Sequence, residues 1–99
     1  MAQKDQAGYE TIYIAHPDLT ESKIGEINNR LTDIIKKHSG TVEQCDLWGI
    51  RNLAYKILRQ SKGHYIYFKY SAQPAVVEEL ERTLQLREDV LKQMTVRLT

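Results

Sequence analysis

The chain predicts an α+β domain with the element order β-α-β-β-α-β, and three observations carry that prediction. Two segments repeat apolar residues at steps of three and four, the spacing that puts them on one helix face. Four others concentrate β-branched and aromatic residues between Pro, Gly and polar turn residues. Their order lets both helices cover one face of a four-stranded antiparallel sheet with the first and third strands paired in its middle.

Tyr9-Glu10-Thr11-Ile12-Tyr13-Ile14-Ala15 reads as the first strand and stops at His16-Pro17-Asp18, where proline removes a donor and biases its neighbour toward extended geometry. Thr20 is placed to cap a helix whose face is Ile24, Ile27, Leu31, Ile34 and Ile35. Glu21 and Glu26 near its start and Lys36, Lys37 and His38 near its end complement the macrodipole. Gly40 is the expected left-handed terminator.

Thr41 to Trp48 is extended but irregular, because Val42 and Cys45 lie three apart, a spacing that a bulge reconciles. Gly49 marks the same distortion. Leu53 to Ile57 continues as strand, Arg59-Gln60-Ser61-Lys62-Gly63 has loop chemistry, and His64 to Tyr70 gives the third strand. Gln73-Pro74 opens a second helix with Glu78 and Glu79 in its early turns and Val76 or Val77, Leu80 and Leu84 as its buried stripe. After Arg87-Glu88-Asp89, Val90 to Leu98 alternates Met94, Val96 and Leu98 against Gln93, Thr95 and Arg97, the pattern of a last strand. The arrangement is the ferredoxin-like split βαβ, with residues 9–99 as a single domain behind a flexible tail of residues 1–8.

Two helices bury only one face of such a sheet, so a solitary domain should alternate apolar and polar residues along its strands. This chain does not. Tyr9, Tyr13 and Ala15 share one register and Ile12 and Ile14 the other; Ile66, Phe68 and Tyr70 share one and Tyr65 and Tyr67 the other. Either choice leaves apolar side chains on the uncovered face, and a contiguous patch there marks a docking surface. The candidate partner-binding residues are Ile12, Ile14, Trp48, Tyr65 and Tyr67.

Composition narrows the function. The 99 residues leave no room for a second domain, and no apolar run approaches the ~20 residues of a membrane span. Cys45 is the only cysteine, which rules out an internal disulfide and fits a reducing compartment. The first eight residues hold no apolar segment of the secretory type. A net charge of +1 argues against an unaided electrostatic grip on nucleic acid, so any RNA contact is local or shared with a more basic partner.

Chemistry is sparse. His16, His38, His64 and Cys45 fall in a turn, a helix end, a strand start and a strand, without zinc-type pairing. No activated nucleophile, phosphate loop or carboxylate pair stands out, so neither an enzyme nor a cofactor is expected. Lys62-Gly63-His64-Tyr65-Ile66-Tyr67-Phe68-Lys69 starts like the base-stacking strand of an RNA recognition motif. It departs at Tyr65, where Gly or Ala belongs, and at Lys69, where an aromatic belongs. Arg51, Asn52, Lys56 and Arg59 form one local polar and cationic group and Arg87, Lys92 and Arg97 another, suited to phosphate contacts.

From Tyr9 to Leu98 an ordered set of pieces resembles bacterial small-subunit ribosomal protein six. These are Tyr9-Glu10 with Pro17, the Gly40-to-Trp48 strand, Gly49-Ile50-Arg51 with Leu53-Ala54-Tyr55, Gly63, and Leu86-Arg87-Glu88 ahead of Val90 and Lys92. The resemblance implies a non-catalytic protein of the cytoplasmic bacterial ribosome that pairs with small-subunit ribosomal protein eighteen and binds small-subunit ribosomal RNA. By position, Arg51, Arg87 and Lys92 match the family's basic residues, while Trp48 and Tyr55 match its large ones. Asn52 replaces a common second Arg and Lys56 a common Pro, and the chain runs to Thr99 without the acidic tail of some members. The RNA-binding candidates are Arg51, Lys56, Arg87, Lys92 and Arg97. The alternative is an independent regulatory module that binds a small ligand or dimerises through its open sheet.

Overall fold

The structure, a computed structural model, describes residues 6–99. Its elements are β1 (Ala7–Ala15), α1 (Glu21–Lys37), β2 (Thr41–Ile57), β3 (Gln60–Ala72), α2 (Pro74–Gln85) and β4 (Val90–Arg97). The strands form one antiparallel sheet in the order β2-β3-β1-β4, so β1 and β3 are central as expected. The first five residues of the predicted tail lie outside the described residues. Its last two, Ala7 and Gly8, are already in β1, paired with Ala72 and Ser71.

Both helices pack on the face that carries Tyr9, Thr11, Tyr13 and Ala15 of β1 and Ile66, Phe68, Tyr70 and Ala72 of β3. They contribute Ile24, Ile27, Leu31, Ile34 and Ile35 from α1 and Val76, Leu80 and Leu84 from α2, the stripes that their spacing predicts. This core is not wholly apolar. The Tyr13 hydroxyl donates to Asn28 Oδ1 at 2.5 Å, and Thr11 Oγ1 lies 2.8 Å from both Tyr70 Oη and Thr95 Oγ1. Every one of those polar groups therefore keeps a partner after leaving water. Burial pushes the Tyr13 and Tyr70 phenols above their ordinary pKa, so they remain neutral.

Thr20 caps α1, its hydroxyl accepting from the Lys23 amide at 3.2 Å. The helix ends differently from the prediction: Ser39, not Gly40, takes the left-handed conformation, at φ 66°. Gly40 serves space instead. A Cβ there would lie 2.7 Å from the Ser71 carbonyl oxygen and 2.8 Å from Ile35 Cγ2, so α1 closes onto the sheet only without a side chain. Gly40→Ala is expected to cost about 1–3 kcal/mol, the usual range for overpacking, read as a lower urea midpoint at unchanged m.

β2 is irregular in three places. Its register against β3 shifts between Val42 and Gln44, where the spacing of Val42 and Cys45 predicts a bulge. It shifts again between Leu47 and Gly49, which sits at φ 88°, and once more between Asn52 and Ile57. The predicted loop at 59–63 is not observed. The hairpin closes through the two-residue turn Leu58-Arg59, and Gln60 to Gly63 belong to β3. Polar residues in that stretch resemble a loop, but pairing of Ile57 with Gln60 and of Asn52 with Lys62 keeps them in the ladder. Because pairing between β1 and β3 ends at Ala15 and His64, the hairpin extends past the sheet as an arm. No helix among the described residues is long and apolar enough to cross a membrane.

Candidate partner and nucleic-acid interface

The register assigns the uncovered face. Ile12 lies opposite Tyr67 and Met94, and Ile14 opposite Tyr65 and Lys92; these side chains project away from the helices because Tyr13, Ile66 and Phe68 project toward them. Met94, Val96 and Leu98 extend the apolar plane along β4 and are exposed. All five candidate partner residues thus belong to one face, although Ile14 is only 4% exposed. It lies in a small hollow of about 130 Å³ lined also by Leu53, Ala54, Tyr55, Ile57, Tyr65, Lys92 and Met94. The arm folds back over this end of the sheet.

Trp48 from β2 stacks on Tyr67 from β3, with centroids 5.2 Å apart and planes 10° from parallel. The Arg51 guanidinium carbon lies 5.1 Å from the Trp48 ring centroid and 5.9 Å from that of Tyr65, in cation–π range of both. These rings engage one another, so they form a fixed ridge and not a row of free platforms for nucleobases.

The two ends of the face differ in charge. Around Tyr67 stand Glu10, Glu43 and Asp46: the hydroxyl donates to Glu10 Oε2 at 2.5 Å, and Ser71 donates to Glu43 Oε2 at 2.9 Å. The Glu10 hydrogen bond, with the negative field of all three carboxylates, pushes the Tyr67 phenol up to about 12. At the other end stand Arg51 and Lys92, on opposite outer strands roughly 14 Å apart across three strand spacings. Lys92 donates to the Tyr55 hydroxyl at 3.2 Å, with Nζ 5.6 Å from the ring centroid.

The five RNA candidates are not all together. Arg51 and Lys92 stand at the cationic end, and Lys56 is exposed on the arm next to Tyr55, the residue that Lys92 reaches. Arg87 lies on the α2–β4 connection, where its fork already grips Asp89 through two bonds of 2.9 Å. That grip holds the Asp89 carboxyl below its ordinary pKa. Arg87 nevertheless lines one groove with Lys92 and Leu58. Arg97 is remote: it is in register with Tyr9, five residues along β4 from Lys92, and its Nε donates to the Thr99 carbonyl at 2.7 Å.

Sequence reasoning missed the carboxylate cluster around Tyr67 and the reach of Tyr55 to Lys92, since both depend on register. The histidines and Cys45 do not assemble: among the described residues no group of three or more His, Cys, Asp or Glu could hold a metal ion.

A two-helix, four-stranded split βαβ whose most distinctive surface is its bare sheet face defines the class, a ferredoxin-like protein built around an open sheet. The family model for ribosomal protein S6 matches residues 8–97, and the chain belongs to that family of small-subunit ribosomal proteins. It is 42% identical over 90 residues to the small ribosomal subunit protein bS6 of Acidiphilium cryptum, an alignment covering 91% of this chain and 57% of that one. With the bS6 of Pelobacter propionicus it shares 41% identity over 91 residues, covering 92% and 70%. The chain thus spans little more than half the length of the first of these relatives. The crystal structure of 30S ribosomal protein S6 from Thermotoga maritima superposes with a TM-score of 0.85, covering 94% of this chain and 88% of the other at 22% identity, and so shares the fold.

Proposed function

We propose that this chain is a structural component of the small ribosomal subunit in the bacterial cytoplasm, and that it binds small-subunit ribosomal RNA jointly with small-subunit ribosomal protein eighteen. The observation that carries this reading is the apolar face of Ile12, Tyr65, Tyr67 and Trp48, left bare by its own helices and bordered at one end by Arg51, Lys56 and Lys92. The face docks the protein partner, and the cationic end meets RNA phosphate. Arg87 and Arg97 act as weaker accessory contacts, because each already commits donors within the chain.

Joint binding also accounts for the net charge of +1: a basic partner supplies much of the phosphate neutralisation, and this chain supplies a rigid shape. The expected result is that RNA affinity measured over a salt series rises, and its salt slope steepens, when protein eighteen is added. Equal affinity and slope with and without it would defeat the joint reading. The hollow on the open face is about 130 Å³, below the roughly 300–1,000 Å³ of small-ligand sites, so the regulatory-module alternative gains no support there. A larger hollow of about 390 Å³ at the start of α1 is lined by none of the open-face residues, and another of about 350 Å³ along the α2–β4 connection reaches that face only through Lys92.

A further inference from the structure

The β2–β3 arm is the most one-sided part of the chain. From Leu47 to Val77 there is no Asp or Glu, while Arg51, Lys56, Arg59, Lys62 and Lys69 fall within the same stretch. Lys56, Arg59 and Lys62 are exposed on the arm, and none is in an ion pair among the described residues.

The arm's tip is also built against local preference. A two-residue hairpin turn with positive φ at both positions favours Asn-Gly or Asp-Gly. Here the positions are Leu58 at φ 48° and Arg59 at φ 70°. Both β-carbons oppose that conformation, and backbone strain of this kind concentrates where a function uses it. The strain holds a 68% exposed leucine and a free guanidinium at the turn of the arm, beside the groove that Leu58 lines with Lys92 and Arg87.

We propose that this tip is a binding site for double-helical RNA, with Arg59 and Lys62 on phosphates that flank a minor groove and Leu58 against its sugar edge. It rests on the RNA-binding reading above and extends the cationic end of the sheet face, through the groove that Leu58 shares with Lys92, to the tip of the arm. Double-helical RNA fits better than a single strand. Its minor groove is wide and shallow enough to receive a two-stranded ribbon, and it is recognised by shape and phosphate. A single strand asks for free stacking rings, and Trp48 already stacks on Tyr67 while Tyr55 is held by Lys92.

The test uses the full chain with protein eighteen and a small-subunit ribosomal RNA fragment, over a salt series. Arg59→Gln with Lys62→Gln is expected to weaken binding about ten-fold and to flatten the log–log salt slope by roughly 0.7–0.9 per cation removed. Lys36→Gln with Lys37→Gln on α1 serves as a control of equal charge change and leaves both unchanged. A second variant, Leu58→Asn with Arg59→Gly, relieves the turn. It is expected to raise Tm by a few degrees and still weaken RNA binding about ten-fold. Wild-type slope and affinity in the tip variants, or an equal loss in the α1 control, overturns this site while leaving the RNA reading intact. Absence of RNA binding by the wild-type pair overturns the broader reading and this site with it.

Discussion

Phe68→Ala is expected to remove about 3–5 kcal/mol of stability, the range for deleting a buried aromatic ring. Phe68 is 1% exposed on a central strand, opposite Thr11 on one side and Cys45 on the other, with both helices above it. The strand beneath is held on both sides, with β1 and β3 tied along nine residue pairs, and the core is close-packed, so the cavity cannot readily collapse. A small domain holds only about 5–15 kcal/mol in total, so this one change takes a large share of it. Urea denaturation followed by circular dichroism should give a strongly lowered midpoint at unchanged m. A loss below about 1 kcal/mol would mean that the core relaxes around the missing ring.

The largest functional effect is expected from Tyr67→Asp. The substitution removes the ring beneath Trp48 and adds a carboxylate among Glu10, Glu43 and Asp46, the neighbours that already raise the phenol's pKa. Association with protein eighteen should weaken at least about 100-fold, as expected for the loss of a central aromatic anchor. Because Tyr67 faces away from the helices, the far-ultraviolet spectrum should stay native. Tyr67→Phe keeps the ring and should bind within a few-fold of wild type; unaltered binding by Tyr67→Asp would remove this residue from the interface.

The pH dependence has a definite sign. A phenol whose pKa rises on folding from about 10 to about 12 contributes stability that is fully present below pH 10 and lost as pH climbs through 12. The hydroxyl therefore stays protonated across the neutral range, so the proposed docking is expected to be independent of its titration there. Asp89 has the opposite sign: its carboxyl is lowered by Arg87, so its contribution is present above the ordinary carboxylate pKa and fades in acid.

Periodicity made the architecture legible. Ile24 to Ile35 declared α1, Thr20 its start, and the misfit of Val42 with Cys45 the first bulge. Two local features were misplaced because tertiary pairing overrode residue preference. Ser39 took the left-handed position that glycine favours, since Gly40 was needed where the Ser71 carbonyl approaches. Leu58 and Arg59 took a turn that Asn-Gly favours, since the register of Ile57 and Gln60 demands it. The open face was half legible. Two apolar registers were plain, but only the packing of Tyr13, Ile66 and Phe68 against the helices selects Ile12, Ile14, Tyr65 and Tyr67 for the other side. Charge placement was least legible. Arg51, Lys92 and Arg97 look equivalent as letters, and strand register alone puts two at one end of the sheet and the third at the other.

The kinked course of β2 also governs what the molecule avoids. A sheet rim with an unbroken row of amides and carbonyls is a template on which further copies can zip into aggregates. A protein with net charge +1 and a bare apolar plane has little electrostatic repulsion to prevent this. Three offsets along the outer strand interrupt the row. The kinked rim thus offers further copies a poor template for pairing, while the apolar plane itself stays uncovered.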